Sequence, residues 1–229
     1  MTTAPKATPP TEPGAPVAAL APGADMSARA GVAAAPGADV AAGAAGSGAG
    51  LGERADAGRP ATVFVGLGAN LGDARATLVQ ALAALRELVG GAHARFAASS
   101  LYRSAPVDAS GPDYVNAVAR FDTALAPLAL LDALQGVEQR FGRARPYRNA
   151  PRTLDLDLLL YGVVGSSGGV TLADARLQLP HPRAAQRAFV LEPLAELWAE
   201  GEIPGAGRVA ELLRPLRGDA RQSVRRLDA

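Results

Sequence analysis

PRTLDLDLLLYG, at residues 151–162, is the stretch that decides the fold. Asp155 and Asp157 are two positions apart, so they share one face if this stretch is a strand. By the same alternation the opposite face carries Leu154, Leu156, Leu158 and Leu160. The pattern therefore predicts a strand with one buried face and one face that carries paired carboxylates.

The two carboxylates would repel each other unless a cation lay between them. A hard divalent ion such as Mg²⁺, which prefers oxygen ligands, suits that position. Arg152, just upstream, has a planar guanidinium that matches phosphate oxygens. An isolated pair of aspartates would fit a solvated acidic edge strand equally well. A polyphosphate site is favoured by the basic run ahead of the strand, which contains Arg143, Arg145 and Arg148.

Composition excludes several classes of protein. The 229 residues carry 23 basic and 22 acidic side chains, so the chain lacks the bulk basicity of many nucleic-acid-binding proteins. Cysteine is absent, which excludes disulfides and thiolate chemistry. Lys6 is the only lysine, so there is no P-loop lysine and any nucleotide must be bound by arginines. No apolar run approaches the roughly 20 residues of a membrane helix. No secretory signal is recognisable, so a cytoplasmic location is expected.

The chain divides into three regions by composition. Residues 1–60 are rich in Ala, Gly and Pro, and no aromatic residue precedes Phe64, so a disordered tail is predicted. This tail fits a tether or partner-binding arm, or an inert extension with Met26 as an alternative start. Residues 61–217 form the predicted domain, and residues 218–229 are predicted to be a frayed C-terminal tail.

The order of the predicted elements indicates a fold class. A strand at 61–68 leads through a tight turn at Gly66–Asn70 into a helix that is capped by Asp73 and runs to about Val89. The next elements are strands at 96–103 and 114–123, a helix from Pro127 to about Phe141 with Leu128, Leu131, Leu134, Val137 and Phe141 inward, and the aspartate strand. This βαββαβ order predicts an α+β, ferredoxin-like core, with an antiparallel sheet and helices packed on one face. A C-terminal hairpin at 170–179 and helices at 183–198 and 209–216 follow.

Several polar side chains have two interpretations from the sequence alone. Tyr114 and Asn116 share a strand face, where they suit a flat heterocycle or an ordinary surface. Gln135 and Glu138 share a helix face. This face could be part of a functional site, or it could simply be exposed to solvent. A lone histidine such as His181 is more often structural than a ligand.

Six segments together resemble one family. The chain resembles 6-hydroxymethyl-7,8-dihydropterin pyrophosphokinase in these segments: PRTLDLDLLLYG preceded by GRARPYRNA, together with GLGANLGD, SSLYRSAPV, GPDYVNAVARF and LPHPRAAQRAFVLEPL. The resemblance covers the predicted domain and omits the tail. It implies transfer of pyrophosphate from ATP to the pterin hydroxymethyl group in folate biosynthesis, with release of AMP and two Mg²⁺ ions as cofactors. It also implies small-molecule substrates, no nucleic-acid or membrane partner, and a monomer.

The resemblance assigns roles residue by residue. Asp155 and Asp157 match the Mg²⁺ ligands, and Arg143 and Arg152 match catalytic arginines. The ATP-site positions are Gln135, Glu138, Arg145, Arg152, Leu158, Arg176, Gln178, His181 and Arg187. The pterin-site positions are Ser104, Ala105, Val107, Tyr114, Asn116 and Phe189.

Departures from the family pattern affect the loop at 143–150 and the substrate packing. This loop is a residue shorter than in the best-known bacterial form, Asn149 and Pro182 stand where aromatics are usual, and Ala105 replaces a proline. Two other functions differ from the enzyme in what they require of the sequence. A ferredoxin-like nucleic-acid-binding module would need aromatics on a basic sheet face, whereas this sheet carries the aspartate pair. A catalytically inactive homologue would not need Asp155, Asp157, Arg143 and Arg152 to be intact.

Overall fold

The computed structural model describes residues 60–90, 95–107, 111–142, 153–165, 167 and 169–228. The predicted N-terminal tail lies outside these residues except for Pro60, and so does the predicted loop at 143–150. The strands are β1 (Ala61–Ala69), β2 (Phe96–Ala98), β3 (Tyr102–Ser104), β4 (Tyr114–Thr123), β5 (Asp155–Tyr161), β6 (Leu172–Ala173), β7 (Gln178–Leu179), β8 (Glu202–Ile203), β9 (Gly207–Arg208) and β10 (Val224–Arg226). The helices are α1 (Ala74–Leu88), α2 (Pro127–Arg140), α3 (Ala188–Leu197) and α4 (Val209–Leu216), with 3₁₀ turns at Ala184–Gln186 and Ala220–Gln222.

The main sheet is antiparallel, with strand order β10-β3-β4-β1-β5 and β2 paired to the other half of β4. This arrangement confirms the predicted ferredoxin-like core. α1 and α2 cover one face through a core that includes Leu78, Leu85, Leu130, Leu134 and Val137. The additional helices α3 and α4 pack on the opposite face, over Phe64, Val118, Leu159 and Leu160.

α1 begins as its sequence predicts. The Asp73 carboxylate accepts a hydrogen bond from the Ala76 amide at 2.9 Å, which satisfies one of the free N–H groups of the first turn. α2 begins with Pro127 at its first turn, and Gly142 follows it with φ +73°, a conformation that glycine adopts without strain. Its inward face differs from the prediction, because Leu130 and Glu138 are buried while Leu128, Leu131 and Phe141 are only partly so.

Three details of the predicted strands are wrong. β1 continues through Gly66 to Ala69, so the predicted turn there is strand, held by ladders to both β4 and β5. The predicted strand at 96–103 is split in two, because the Ser99 hydroxyl accepts the hydrogen bond of the Val118 amide at 3.0 Å in place of a backbone carbonyl. In β5 a register shift opposite Phe64 and Val65 places Leu160 on the same face as Leu159, against the simple alternation.

The predicted frayed tail at 218–229 is also wrong for the described residues up to 228. β10 pairs with β3, so the edge of the sheet gains a strand. The Gln222 side chain accepts a hydrogen bond from the Ala188 amide and donates one to the Gln186 carbonyl, each at 2.9 Å. These bonds fasten the C-terminal segment to the start of α3.

Glu196 on α3 joins the helix to the sheet edge. Its carboxylate accepts hydrogen bonds from the Tyr102 hydroxyl at 2.9 Å and from the Ser100 amide and hydroxyl at 3.0 and 2.9 Å. Burial and, to a smaller extent, the hydrogen bond to Glu196 together raise the pKa of Tyr102 to about 12. Burial opposes ionisation of Glu196, but the hydrogen bonds from Tyr102 and Ser100 outweigh it and lower the Glu196 pKa.

This network predicts a pH-dependent contribution to stability. Because the folded state lowers the Glu196 pKa, the contribution is present above the unfolded pKa and is lost as pH falls through the folded pKa. Glu196→Gln is expected to lower the melting temperature at pH 7 by about 3 °C. The difference between the two proteins should shrink on acidification, which a melting series from pH 7 downward measures. A difference that stays constant in acid would contradict the assignment.

Among the residues described, no helix is both long enough and apolar enough to cross a lipid bilayer.

Candidate active site

The sheet face opposite α1 and α2 is only partly covered. α3 and α4 pack over the end of the sheet that carries Phe64 and Leu160. The other end is the floor of a cavity of about 280 Å³. Its lining residues are Gly66, Leu67, Gly68, Ser104, Ala105, Val107, Tyr114, Asn116, Ala117, Val118, Asp155, Asp157, Leu159, His181, Arg183, Arg187, Phe189 and Val190.

Strand register places the polar residues of the floor in a row. Asn116 on β4 lies beside Gly68 on β1, and Gly68 lies beside Asp155 on β5. In the next row Gly66 separates Val118 from Asp157. Because neither glycine has a side chain, the space between Asn116 and the carboxylates stays open. A Cβ atom on Gly68 would lie 3.5 Å from the Asn116 Oδ1 atom, so anything larger than Ala would enter this space.

Ser104 and Asn116 form the polar edge of one wall. Both are buried, and the Asn116 Nδ2 atom donates a hydrogen bond to the Ser104 hydroxyl at 3.0 Å. Tyr114, directly opposite Ser104 in the ladder, is partly exposed and lines the same cavity. A flat, polar ring could therefore contact an aromatic face and hydrogen-bonding groups here at the same time.

The segment after β7 forms the opposing wall. The His181 amide donates a hydrogen bond to the Leu159 carbonyl of β5 at 2.9 Å, which fixes this segment beside the aspartates. The Nδ1 atom of His181 accepts a hydrogen bond from the Arg183 amide at 3.2 Å, so a neutral imidazole carries its proton on Nε2. The Arg187 guanidinium carbon lies 5.3 Å from the centre of the Phe189 ring, within cation–π range.

Charged groups of both signs influence His181. Burial lowers the pKa of His181, and the nearby Arg187 and Arg183 guanidinium groups lower it further. Asp157 and Asp155 act in the opposite direction and do not cancel the fall. His181 is therefore influenced by two carboxylates and two guanidinium groups, and its lowered pKa favours the neutral form near pH 7.

The carboxylates suit a hard cation. Asp155 and Asp157 are partly exposed, point to the cavity face of β5 and offer only oxygen ligands. Within the described ranges no group of three or more His, Cys, Asp or Glu residues could hold a metal. Mg²⁺ is often bound by one or two carboxylates, with water and substrate phosphates completing its octahedron.

The structure brings together ten of the residues singled out from the sequence. All six pterin-site positions line the cavity, together with Asp155, Asp157, His181 and Arg187. The other described ATP-site positions, which do not line it, are Gln135, Glu138, Leu158, Arg176 and Gln178. Arg143, Arg145, Arg152 and Asn149 lie outside the described residues. Pro182 is described and exposed.

The positions that do not line the cavity have identifiable places in the fold. Leu158 is buried in the core beneath α1 and α2, on the opposite face of the sheet. Arg176 forms an exposed ion pair with Asp132, and Gln178 is exposed on β7. Gln135 lies partly buried on α2.

Glu138 is almost completely buried, with 1% of its surface exposed. Its Oε1 atom accepts a hydrogen bond from the Leu156 amide at 2.9 Å. Leu156 stands between the two aspartates in the chain, so Glu138 fixes the backbone from which both carboxylates extend.

Sequence reasoning missed the glycine floor and Arg183. The signal for the floor was the alternation of Gly66 and Gly68, which matches the alternation of Asp157 and Asp155 on the neighbouring strand. The sequence of β1 alone predicts a tight turn at these glycines, because the partner strands β4 and β5 are not visible in it. Arg183 had no sequence signal of its own beyond its place two residues after His181.

Comparisons with known proteins identify the family. Residues 64–199 match the family described as 7,8-dihydro-6-hydroxymethylpterin-pyrophosphokinase (HPPK). The chain is 46% identical over 154 residues to the 2-amino-4-hydroxy-6-hydroxymethyldihydropteridine pyrophosphokinase of Pseudomonas aeruginosa, covering 66% of this chain and 89% of the relative. The similarly named Haemophilus influenzae protein is 40% identical over 154 residues, with 67% and 91% covered.

Solved structures show the same fold. Wild-type HPPK-DHPS of Plasmodium falciparum, solved with STZ-DHP, superposes with a TM-score of 0.53 at 10% identity, covering 75% of this chain and 48% of the other. The A437G/K540E form, solved with pterin and p-hydroxybenzoate, gives 0.50 at 11% identity, with 69% and 44% covered. This chain therefore spans less than half the length of those solved chains. The residues that match the family model include every residue that lines the cavity. The chain therefore belongs to the 7,8-dihydro-6-hydroxymethylpterin-pyrophosphokinase family.

Proposed function

We infer that this chain is an enzyme of folate biosynthesis, the EC 2.7.6.3 pyrophosphokinase. It transfers pyrophosphate from ATP to the hydroxymethyl group of 6-hydroxymethyl-7,8-dihydropterin and releases AMP. One observation carries the inference: a single cavity is lined by an aromatic and amide wall, two carboxylates on one strand, and a wall that carries His181 and Arg187. The first wall suits a pterin, and the other groups suit a triphosphate with its metal.

The pterin is held by stacking and by hydrogen bonds at its edge. Phe189 stacks on the ring, and Tyr114 contacts it from the β4 side. Asn116, with its orientation fixed by Ser104, can both donate to and accept from the amide edge of the pterin. Ala105 and Val107 complete this wall. These contacts position the hydroxymethyl oxygen toward Asp155 and Asp157.

The nucleotide lies with its phosphates between the carboxylates and the arginine wall. Asp155 and Asp157 would hold Mg²⁺, which when bound neutralises phosphate charge and orients the phosphate chain. Two ions are part of the proposal. Arg187 donates to phosphate oxygens, and His181, neutral with its proton on Nε2, donates without adding charge.

The transfer is an in-line displacement. The hydroxymethyl oxygen forms a bond to the β-phosphorus, and the bond from that phosphorus to the oxygen bridging to the α-phosphate breaks. The proton of the hydroxymethyl group is released to solvent with the products. AMP leaves with that oxygen. Arg143 and Arg152, proposed on the family resemblance, would stabilise the charge that develops, and the loop at 143–150 would exclude water.

Three further points belong to this proposal. The domain begins near Ala61 and carries the activity without residues 1–59, since every lining residue falls between 66 and 190. On the family resemblance, the protein acts as a monomer on small molecules. Nucleic acid is not a partner, because Asp155 and Asp157 put negative charge where a nucleic-acid backbone would lie on the sheet. A cytoplasmic location stays a prediction.

The proposed function is tested by incubating the protein with ATP, Mg²⁺ and 6-hydroxymethyl-7,8-dihydropterin and measuring AMP. AMP should form only when the pterin is present. Oligonucleotide binding without any pterin-dependent AMP would instead support the nucleic-acid-binding alternative.

Phe189→Ala tests the pterin wall. Because stacking on an aromatic contributes about 1–3 kcal/mol for a nucleobase-sized ring, KM for the pterin should rise about tenfold or more. KM for ATP should change less than about threefold. The matched control is Phe96→Leu, on β2 at the opposite face and outside the cavity. Steady-state kinetics check this, and an equal rise in both constants would contradict a pterin-specific role.

A further inference from the structure

Arg183 lines the cavity, although no motif in the sequence singles it out. Several hydrogen bonds hold the backbone around Arg183 in place. The His181 amide is bonded to the Leu159 carbonyl, the Ala184 amide to the His181 carbonyl at 3.0 Å, and the Gln186 amide to the Arg183 carbonyl at 3.2 Å. Ala184 is buried, with 1% of its surface exposed, so it anchors the segment after β7 to the core. The stem of Arg183 therefore starts from a fixed point on the cavity wall.

The Arg183 guanidinium has no carboxylate partner among the described residues, since none lies within 4.0 Å of it. Other arginines in the C-terminal part of the chain form ion pairs. The N···O distance is 2.7 Å between Arg217 and Glu192 and 3.1 Å between Arg221 and Asp219. Arg183 is also exposed, so its charge can meet a ligand without first breaking an ion pair. Its backbone amide, by contrast, is used, because it orients the His181 ring.

The position of this charge indicates the kind of ligand. Arg183 and Arg187 line the same cavity as Asp155 and Asp157, and all four charges act on His181. A ligand that contacts both kinds of group needs anionic oxygens for the guanidinium groups and must also accept a cation held by the carboxylates. A phosphate chain meets both requirements, whereas the pterin ring is uncharged and suits the aromatic wall.

We propose that Arg183 binds the phosphate chain of ATP, as a second guanidinium beside Arg187. This proposal rests on the proposed function, because it assigns a residue to the nucleotide half of the same site. Arg183 contributes to ground-state binding of the nucleotide, since it is exposed and lines the cavity. Its loss should therefore weaken nucleotide affinity more than it slows the transfer step.

The test is calorimetric binding of Mg²⁺ with α,β-methylene-ATP, at fixed ionic strength and without pterin. R183A should weaken the dissociation constant about tenfold, the loss of one charge-assisted contact of about 1.4 kcal/mol. R183K keeps the charge without the planar fork and should lose less than R183A. The control is R75A, which removes an exposed arginine from α1, outside the cavity. It should bind as the wild type does.

Two further readouts separate this role from a structural one and from the proposed function. R183A should keep the wild-type melting temperature, since Ala retains the amide bonded to His181, and its pterin affinity should be unchanged. In steady state KM for ATP should rise while kcat changes little. Nucleotide affinity within twofold of wild type, or an equal loss in R75A, would overturn the assignment while leaving AMP release intact. Failure of the wild type to form AMP would refute the proposed function, whatever Arg183 binds.

Discussion

Asp157→Ala is expected to lower turnover about a thousandfold, because it removes one of two carboxylates that we propose hold the metal beside the transferred group. Asp155→Ala should have a similar effect, since the two side chains extend from one face of β5 on either side of Leu156. Both are partly exposed in the cavity, so neither substitution leaves a buried cavity in the core. The loss should therefore appear in kcat and in Mg²⁺ dependence rather than in stability.

The measurement is kcat across a Mg²⁺ titration, with melting curves for each variant. Glu87→Ala is the control, because it removes an exposed carboxylate from α1, far from the cavity lining. Near-wild-type turnover of either aspartate variant at saturating Mg²⁺ would refute the metal assignment.

Glu138→Ala is expected to destabilise the protein by about 3 kcal/mol. The substitution removes the acceptor of the Leu156 amide and leaves a buried N–H group without its partner, and it opens space in the core between α2 and β5. Glu138→Gln keeps an oxygen acceptor in the same place and should cost clearly less. Urea unfolding of both variants measures this, and Glu87→Ala should stay within about 0.5 kcal/mol of wild type.

The two Glu138 variants also distinguish between a positioning role and direct contact with ATP. If Glu138 fixes the strand between the aspartates, Glu138→Gln should keep KM for ATP and most of kcat. If its carboxylate contacts the nucleotide, as the family resemblance implies, Glu138→Gln should raise KM for ATP at wild-type stability. The second result would contradict the role that the hydrogen bond to Leu156 indicates.

The aspartate strand, β5, was predictable because its pattern is local. The alternation of aspartate and leucine in residues 154–158 depends only on the period of a strand, and β5 follows it there. Leu160 departs from the pattern because of a register shift against β1, which depends on the partner strand and has no signature in the sequence of β5 itself. β10 was not predictable for a related reason. Its sequence VRR has a single apolar residue, and only the free edge of β3 makes it a strand.

The candidate site was predictable in part. Family resemblance located the pterin wall and the aspartates, but it does not reveal which sheet face each ATP-site position occupies. Glu138 resembled a solvated helix residue, and its burial follows from how α2 lies over β5, which only the tertiary structure shows. Gly66 and Gly68 form a floor only because Asn116 and the aspartates are their neighbours across two strands.

The mass of the pterin product tests the account most directly. Wild-type protein, ATP, Mg²⁺ and 6-hydroxymethyl-7,8-dihydropterin should give a pterin that has gained two phosphate groups, in amounts equal to the AMP formed. Asp157→Ala should give neither product at a comparable rate. A pterin that gains a single phosphate with release of ADP, or ATP consumption that does not depend on the pterin, would contradict the account.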